Sequence, residues 1–283
     1  MSKRMLINYL LLVLIIILTW IGVKYPITED QKINRNAITT LHAKNITDIK
    51  IETADGTIVL QKQGLSWMLQ SPVNWFADNI AAERLTTLAS LEPQSKLPRE
   101  QIDLSTLGLR IPKAVVTLNN KSIYFGDTNR IGNRRYIMVD PNVYLASDIH
   151  YIFISEGLSG LLDKRLLPSQ LELKELQFAG FKLHKKDSGW SSGNPDDSAE
   201  NVERLLKNWQ HKQARIKPYD KSLTPLHKIK AVLQNAQQID FFVLSISPEI
   251  IIARPDLNIQ YHFADNHYYD LFSLKRPDGT VNE

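Results

Sequence analysis

The chain has 283 residues, with 34 Lys and Arg against 30 Asp and Glu, a formal net charge of +4 and no cysteine. At 43% hydrophobic and 23% charged residues it has a globular composition, which excludes a collagen-like, disordered or disulfide-stapled chain. The missing cysteine removes every thiolate nucleophile and every cysteine-ligated zinc or iron–sulfur site.

Residues 5–23 read MLINYLLLVLIIILTWIGV, an uncharged run dominated by Leu and Ile. As a helix it would be about 28 Å long, close to the roughly 30 Å hydrocarbon core of a bilayer. Lys3 and Arg4 precede it and Lys24 follows, which favours an N-terminus on the inner side. The rival reading is a cleaved signal peptide. The run is long for that, and the following Lys24-Tyr25-Pro26-Ile27-Thr28 offers no small-residue cleavage site. The expectation is a cytoplasmic tail at 1–4, a single membrane span at 5–23 and a stalk at 24–44. The rest of the chain would lie outside a bacterial inner membrane, in the periplasm. Lys3, Arg4 and Lys24 carry most of the excess charge, because residues 25–283 hold 31 basic and 30 acidic side chains. The overall balance is therefore a membrane-orientation signal and no argument for nucleic acid as a partner.

From Thr47 the pattern turns to alternating strands. Ile49 and Ile51 alternate with polar neighbours, Asp55-Gly56 signals a hairpin, and Leu65–Leu69 suits a third strand ended by Pro72. Asp78 is placed to cap a helix with Ala81, Leu85, Leu88 and Ala89 on one face. Hairpins follow at 114–125 and 135–145, then a short helix from Asp148 with Ile149, Ile152 and Phe153 expected to face inward. The second half repeats the order. Strand-like segments at 175–178 and 181–183 precede a helix capped by Asp197, with Glu200 completing a capping box and Val202, Leu205, Leu206 and Trp209 on its apolar face. Landmarks recur at nearly constant offset: Glu83-Arg84-Leu85 with Glu203-Arg204-Leu205, Pro98 with Pro218, Tyr144 with Tyr261, and Asp148-x-His150-Tyr151 with Asp265-x-His267-Tyr268. This predicts an α+β protein of two tandem, duplicated modules at 45–164 and 165–283, each an antiparallel sheet packed by one main helix.

Trp67–Pro72 reads W-x-L-x-x-P, Leu107–Pro112 reads L-G-L-x-x-P, and Ile123–Val139 contains I-Y-F-G-D and R-R-Y-I-M-V. With the N-terminal anchor and the strand–Asp-Gly–strand opening, these motifs resemble the bacterial membrane-anchored envelope family defined as domain of unknown function forty-three forty. The resemblance covers about residues 45–165 well and the second half more loosely, where no clear L-G-L-x-x-P occurs. It brings no catalytic residues. It implies an envelope accessory role, with an envelope protein partner such as a component of an ABC-type export or envelope-assembly complex.

Two sets of residues are candidates for chemistry. Asp148 and His150, with His262, Asp265 and His267, could form acid–base couples or metal ligands. Asp148 and Asp265 sit where helix caps belong, and a cap is the simpler use of both. The second set is a basic stretch with Arg204, Lys207, Lys212, Arg215, Lys217 and Lys221, interleaved with Trp209 and Tyr219. It could meet anionic headgroups or an acidic partner; a solvated face is the plainer use. No H-E-x-x-H, G-x-S-x-G or Walker loop occurs, and no cofactor is implied. The Gly126–Gly132 loop reads as a hairpin turn and Gly157-Leu158-Ser159-Gly160 as a helix break. The reading that results is a non-enzymatic accessory or interaction protein. Its alternatives are an envelope hydrolase or metal-dependent enzyme using the Asp/His pairs, and a ligand-binding module with its site between the two halves.

Overall fold

A computed structural model describes residues 36–98, 102–130, 132–187 and 189–275, together with 12, 14, 15 and 20. The span expected at 5–23 therefore lies outside the described residues apart from those four positions. Among the described residues no helix is long and apolar enough to cross a membrane.

The first sheet begins with β1 (Asp48–Thr53), β2 (Gly56–Gln63), β3 (Ser66–Ser71) and β4 (Trp75–Phe76). Helix α1 (Asn79–Thr86) then crosses to β5 (Ser95–Leu97), and β6 (Ala114–Leu118), β7 (Lys121–Asn129), β8 (Arg134–Val139) and β9 (Asn142–Ser147) follow. All pairings are antiparallel, in the order β4-β3-β2-β1-β6-β7-β8-β9-β5. Two short helices, α2 (Ile149–Ser155) and α3 (Gly157–Leu161), close this half. The second half has β10 (Leu173–Gln177), β11 (Lys182–Lys186), β12 (Gly189–Ser191), α4 (Ala199–His211) and β13 (Arg215–Pro218). It continues with β14 (His227–Leu233), β15 (Gln238–Ser245), β16 (Glu249–Arg254), β17 (Ile259–Ala264) and α5 (Tyr268–Phe272). Its order, β12-β11-β10-β14-β15-β16-β17-β13, is that of the first sheet without β4. The fold is thus α+β, two antiparallel sheets with a few helices, consistent with two modules.

Most local signals act as their chemistry requires. Asp78 caps α1, its Oδ1 accepting the Ile80 and Ala81 amides at 2.9 and 3.1 Å. Val202, Leu205, Leu206 and Trp209 are the buried face of α4. The L-G-L-x-x-P motif has a steric cause: a Cβ on Gly126 would lie 2.3 Å from the Leu107 carbonyl oxygen, and one on Gly108, at φ +64°, 2.6 Å from Asp127 Oδ2. Only glycines let this turn lie on β7, where the Asp127 amide donates to Leu107 O at 2.8 Å.

Four expectations are corrected. The cap of α4 is Ser198, whose Oγ accepts the Asn201 amide at 3.2 Å, because Asp197 is still in the preceding turn with its amide on Asn194 O. Asp148 gives its helix no side-chain cap. On α2 it is Ile154 that is buried, while Ile149 and Ile152 are 55% and 54% exposed; a helix this short turns a narrow stripe to the sheet. Finally, residues 38–39 of the expected stalk belong to the first core: Ile38 and Thr39 are buried, with the Ile38 amide on Leu91 O and Thr39 Oγ1 on Ala89 O.

The two sheets share one continuous core. The connector 161–167 is tied to both. Asp163 N donates to Phe76 O, Leu162 bridges Ala77, Ala214 N donates to Lys164 O and Arg165 bridges Gln213. Across this seam the Arg254 guanidinium, 1% exposed, lies 4.3 Å from the Trp75 ring and 5.2 Å from the Phe241 ring. Its Nε and Nη2 donate to the Asp256 carboxylate at 2.8 and 2.7 Å. Asp256 itself is largely exposed. Asp256→Ala should therefore cost about 3 kcal/mol or more, far above the norm for a surface residue, because it strands a buried charge. Chemical denaturation measures this; a change under about 0.5 kcal/mol would mean the guanidinium is satisfied without its carboxylate.

Candidate functional site

The Asp/His candidates fall on different sheets. Asp148 follows β9, and its carboxylate takes Arg135, with Nε at 2.5 Å from Oδ1 and Nη2 at 3.2 Å from Oδ2. Arg135 is buried, stacks 3.6 Å from the Tyr151 ring and donates to Gly126 O. Asp148 thus neutralises a buried cation and is not poised as a base. His150, two residues on, is half-buried, and burial together with the positive charge of Arg84 holds its imidazole below the ordinary value.

His262, on β17, uses both ring nitrogens. The Asp220 amide donates to Gln260 Oε1, Gln260 Nε2 lies 2.8 Å from His262 Nε2, and His262 Nδ1 lies 2.7 Å from Glu249 Oε2. Both ring nitrogens are thus engaged by neighbouring side chains, leaving neither for a metal. The His262 hydrogen bond holds the Glu249 carboxyl below the usual carboxylate range, against the opposing effect of burial. His267 meets Lys212 Nζ at 3.1 Å and Asp270 Oδ2 at 3.5 Å. Asp265 is exposed in a 3-10 turn. Among the described residues no group of three or more His, Cys, Asp or Glu could hold a metal.

The basic stretch is divided. Arg204 turns inward to the Tyr269, Ser273 and Leu274 carbonyls around the end of α5, and with Lys212 it flanks Asp270. Arg215 pairs with Glu249 at 2.6 Å. Lys207, Lys217 and Lys221 are exposed. Half of the six candidates are thus paired within the second half, two of them at α5 and its end, and the other three are exposed.

The feature brought together by the fold is the seam itself. Beside the Trp75–Arg254 contact lies a cleft of about 380 Å³ lined from both sheets and from residues 170–172, which lead into β10. Its apolar floor comes from Met68, Trp75, Phe76, Leu171 and Leu233. Carboxamides of Asn74, Gln170, Gln234, Asn235 and Gln237 surround it, with Glu172 as the single charge. Trp75 Nε1 is buried with no hydrogen-bond partner, as are Arg254 Nη1 and the Tyr261 hydroxyl. Burial, offset by Arg254, raises the Tyr261 hydroxyl well above its ordinary value, so it stays protonated as a donor. None of these residues stood out in the sequence. The one available signal was Arg254, a lone charge ending the apolar run Ile250–Ala253.

A family model, Domain of unknown function (DUF4340), matches residues 67–241, from β3 into β15 and across both sheets. That is more than half of the 283 residues, and the chain belongs to this family. Neither the curated proteins nor the solved structures contain a match.

Asp148→Ala should destabilise the protein by about 3–5 kcal/mol by leaving Arg135 buried and unpaired. Asp265→Ala should stay within about 0.5 kcal/mol, so matched denaturation curves separate the two aspartates that the sequence pairs. The histidines add a pH dependence. His150 and His227 are both held below 6.5, so on acidification the unfolded chain takes up their protons before the folded one. Stability is then full above pH 6.5 and falls as pH drops below it, towards the lowered folded values. The urea midpoint should drop between about pH 7.5 and about pH 5.5, and His150→Asn with His227→Asn should flatten the drop.

Proposed function

We propose that this member of the family Domain of unknown function (DUF4340) is a membrane-anchored accessory protein of the bacterial envelope that acts by binding a partner. On this reading the uncharged run at 5–23 is the anchor, and residues 45–164 and 165–283 are two copies of one module held in the periplasm. The shared strand order of the two sheets supports the duplication. The observation that carries the binding role is the seam: the two sheets meet through Trp75 and Arg254, and polar side chains beside that contact remain uncommitted. The sequence candidates for catalysis, by contrast, are engaged in structure, Asp148 in an ion pair with Arg135 and His262 in hydrogen bonds with Gln260 and Glu249. The partner expected from the family resemblance is a component of an ABC-type export or envelope-assembly complex.

A second reading, a ligand site between the two halves, is favoured by the cleft lined from both sheets. Crosslinking the full chain in its own membrane, followed by purification in mild detergent, tests the first reading. A defined envelope protein should copurify, and its recovery should fall when the seam is altered. A chain that remains solitary under these conditions, or that fractionates away from the membrane, contradicts it.

A further inference from the structure

We propose that the cleft beside Trp75 binds a neutral saccharide of mono- or disaccharide size; this rests on the second reading above, a ligand site between the two halves. Four observations lead there. The first is the shape of the hairpin that reaches the seam. In the first sheet, β6 and β7 are joined by two residues, Asn119 and Asn120. Asn119 is spent on structure: its Oδ1 accepts the Thr47 and Asp48 amides and its Nδ2 donates to Asn45 O. The matching connection between β14 and β15 has four residues, 234–237, and its tip lines the cleft.

The second is strain at that tip. Four described non-glycine residues have positive φ; three are asparagines and the fourth is Ala236 at 65°. Asparagine tolerates the left-handed region through local hydrogen bonds, and alanine has no such compensation. Strained backbone is kept where it places something, and here it presents Gln234 and Gln237 to the cleft.

The third is the chemistry of the walls. Carboxamides supply both donors and acceptors without charge, which matches hydroxyl groups that do the same. Asn235 Oδ1 is used by the Gln237 amide to form the turn, but the side-chain amides of Asn74, Gln170, Gln234 and Gln237 have no intramolecular hydrogen bond. No Lys, Arg or His lines the cleft, and Glu172 disfavours an anion. The fourth is the floor. Trp75 and Phe76, both lining the cleft, meet edge to face at 5.6 Å, and Trp75 Nε1 is a buried donor without a partner. Apolar rings and uncharged polar groups in one lining suit the C–H faces and hydroxyl edges of a sugar ring.

The test is saturation-transfer NMR on the full chain in a sugar-free zwitterionic detergent, with maltose, cellobiose and diacetylchitobiose as neutral probes and glucuronate as the charged control. At least one neutral disaccharide should receive transfer that glucuronate does not. Gln234→Ala with Gln237→Ala should weaken it about tenfold while leaving the thermal midpoint unchanged. No transfer to any neutral disaccharide, equal binding by the double variant, or transfer to glucuronate alone would each overturn the assignment. A photocrosslinker placed at position 235 separates the layers. A protein captured there in the absence of sugar binding overturns the saccharide but leaves a seam site standing, and the absence of both removes the seam site as well.

Discussion

One desolvated cation sits where the two halves meet. Burying a guanidinium costs several kcal/mol unless its charge is met, and Arg254 meets its own in two ways. Asp256 grips one edge through two parallel hydrogen bonds, while Trp75 from the first sheet and Phe241 from the second offer ring faces. An aliphatic residue would fill the same space at lower electrostatic cost. The matching position of the first sheet shows this alternative: Val139 pairs with Asn142 at the end of β8 as Arg254 pairs with Ile259 at the end of β16. The charge therefore serves docking. A guanidinium plane fixes the orientation of Trp75, and through Trp75 the place of β4, the strand the second sheet lacks.

The first sheet buries an arginine of its own by the same device. Arg135 lies against Tyr151 and is neutralised by Asp148, so the helix after β9 is fastened to its sheet. In the second sheet that fastening is done differently: Arg204, Asn208 and Trp209 of α4 donate to the carbonyls of Tyr269, Asp270 and Leu271. The conserved order of strands thus carries two unrelated solutions to one problem, the attachment of a short terminal helix. This is why residues that align in sequence, such as Asp148 and Asp265, have unlike surroundings.

Local rules made much of the fold legible. Alternation in β1, the cap at Asp78 and the apolar stripe of α4 need only neighbouring residues to act, and each acts as its spacing requires. The edge strands β5 and β13 left no such trace, because three or four residues cannot establish a period and their partners lie far along the chain. The candidate site was illegible for the same reason. The proximity of Trp75 to Arg254 is a contact across nearly 180 positions, and an asparagine or glutamine carries no pattern until a fold gathers several. The Asp/His repeats were the opposite case, a visible pattern whose chemistry was decided by invisible partners: Arg135 for Asp148, Glu249 for His262.

Several departures from local rules share one location, and that location is informative. A buried cation with an unpartnered nitrogen, a buried indole N–H without an acceptor, a buried hydroxyl without a partner and a left-handed alanine all occur at or beside the seam. Each alone is a modest cost that substitution could remove: valine at 254, as at 139, glycine at 236, phenylalanine at 75 or 261. A sheet free to settle into its most stable form would lose such features one by one. Buried unpartnered atoms also occur on β8, β11 and β15, at Arg134, His184 and Asp240, but four different kinds of departure meet where the two sheets join, and this points to a constraint there that stability does not explain.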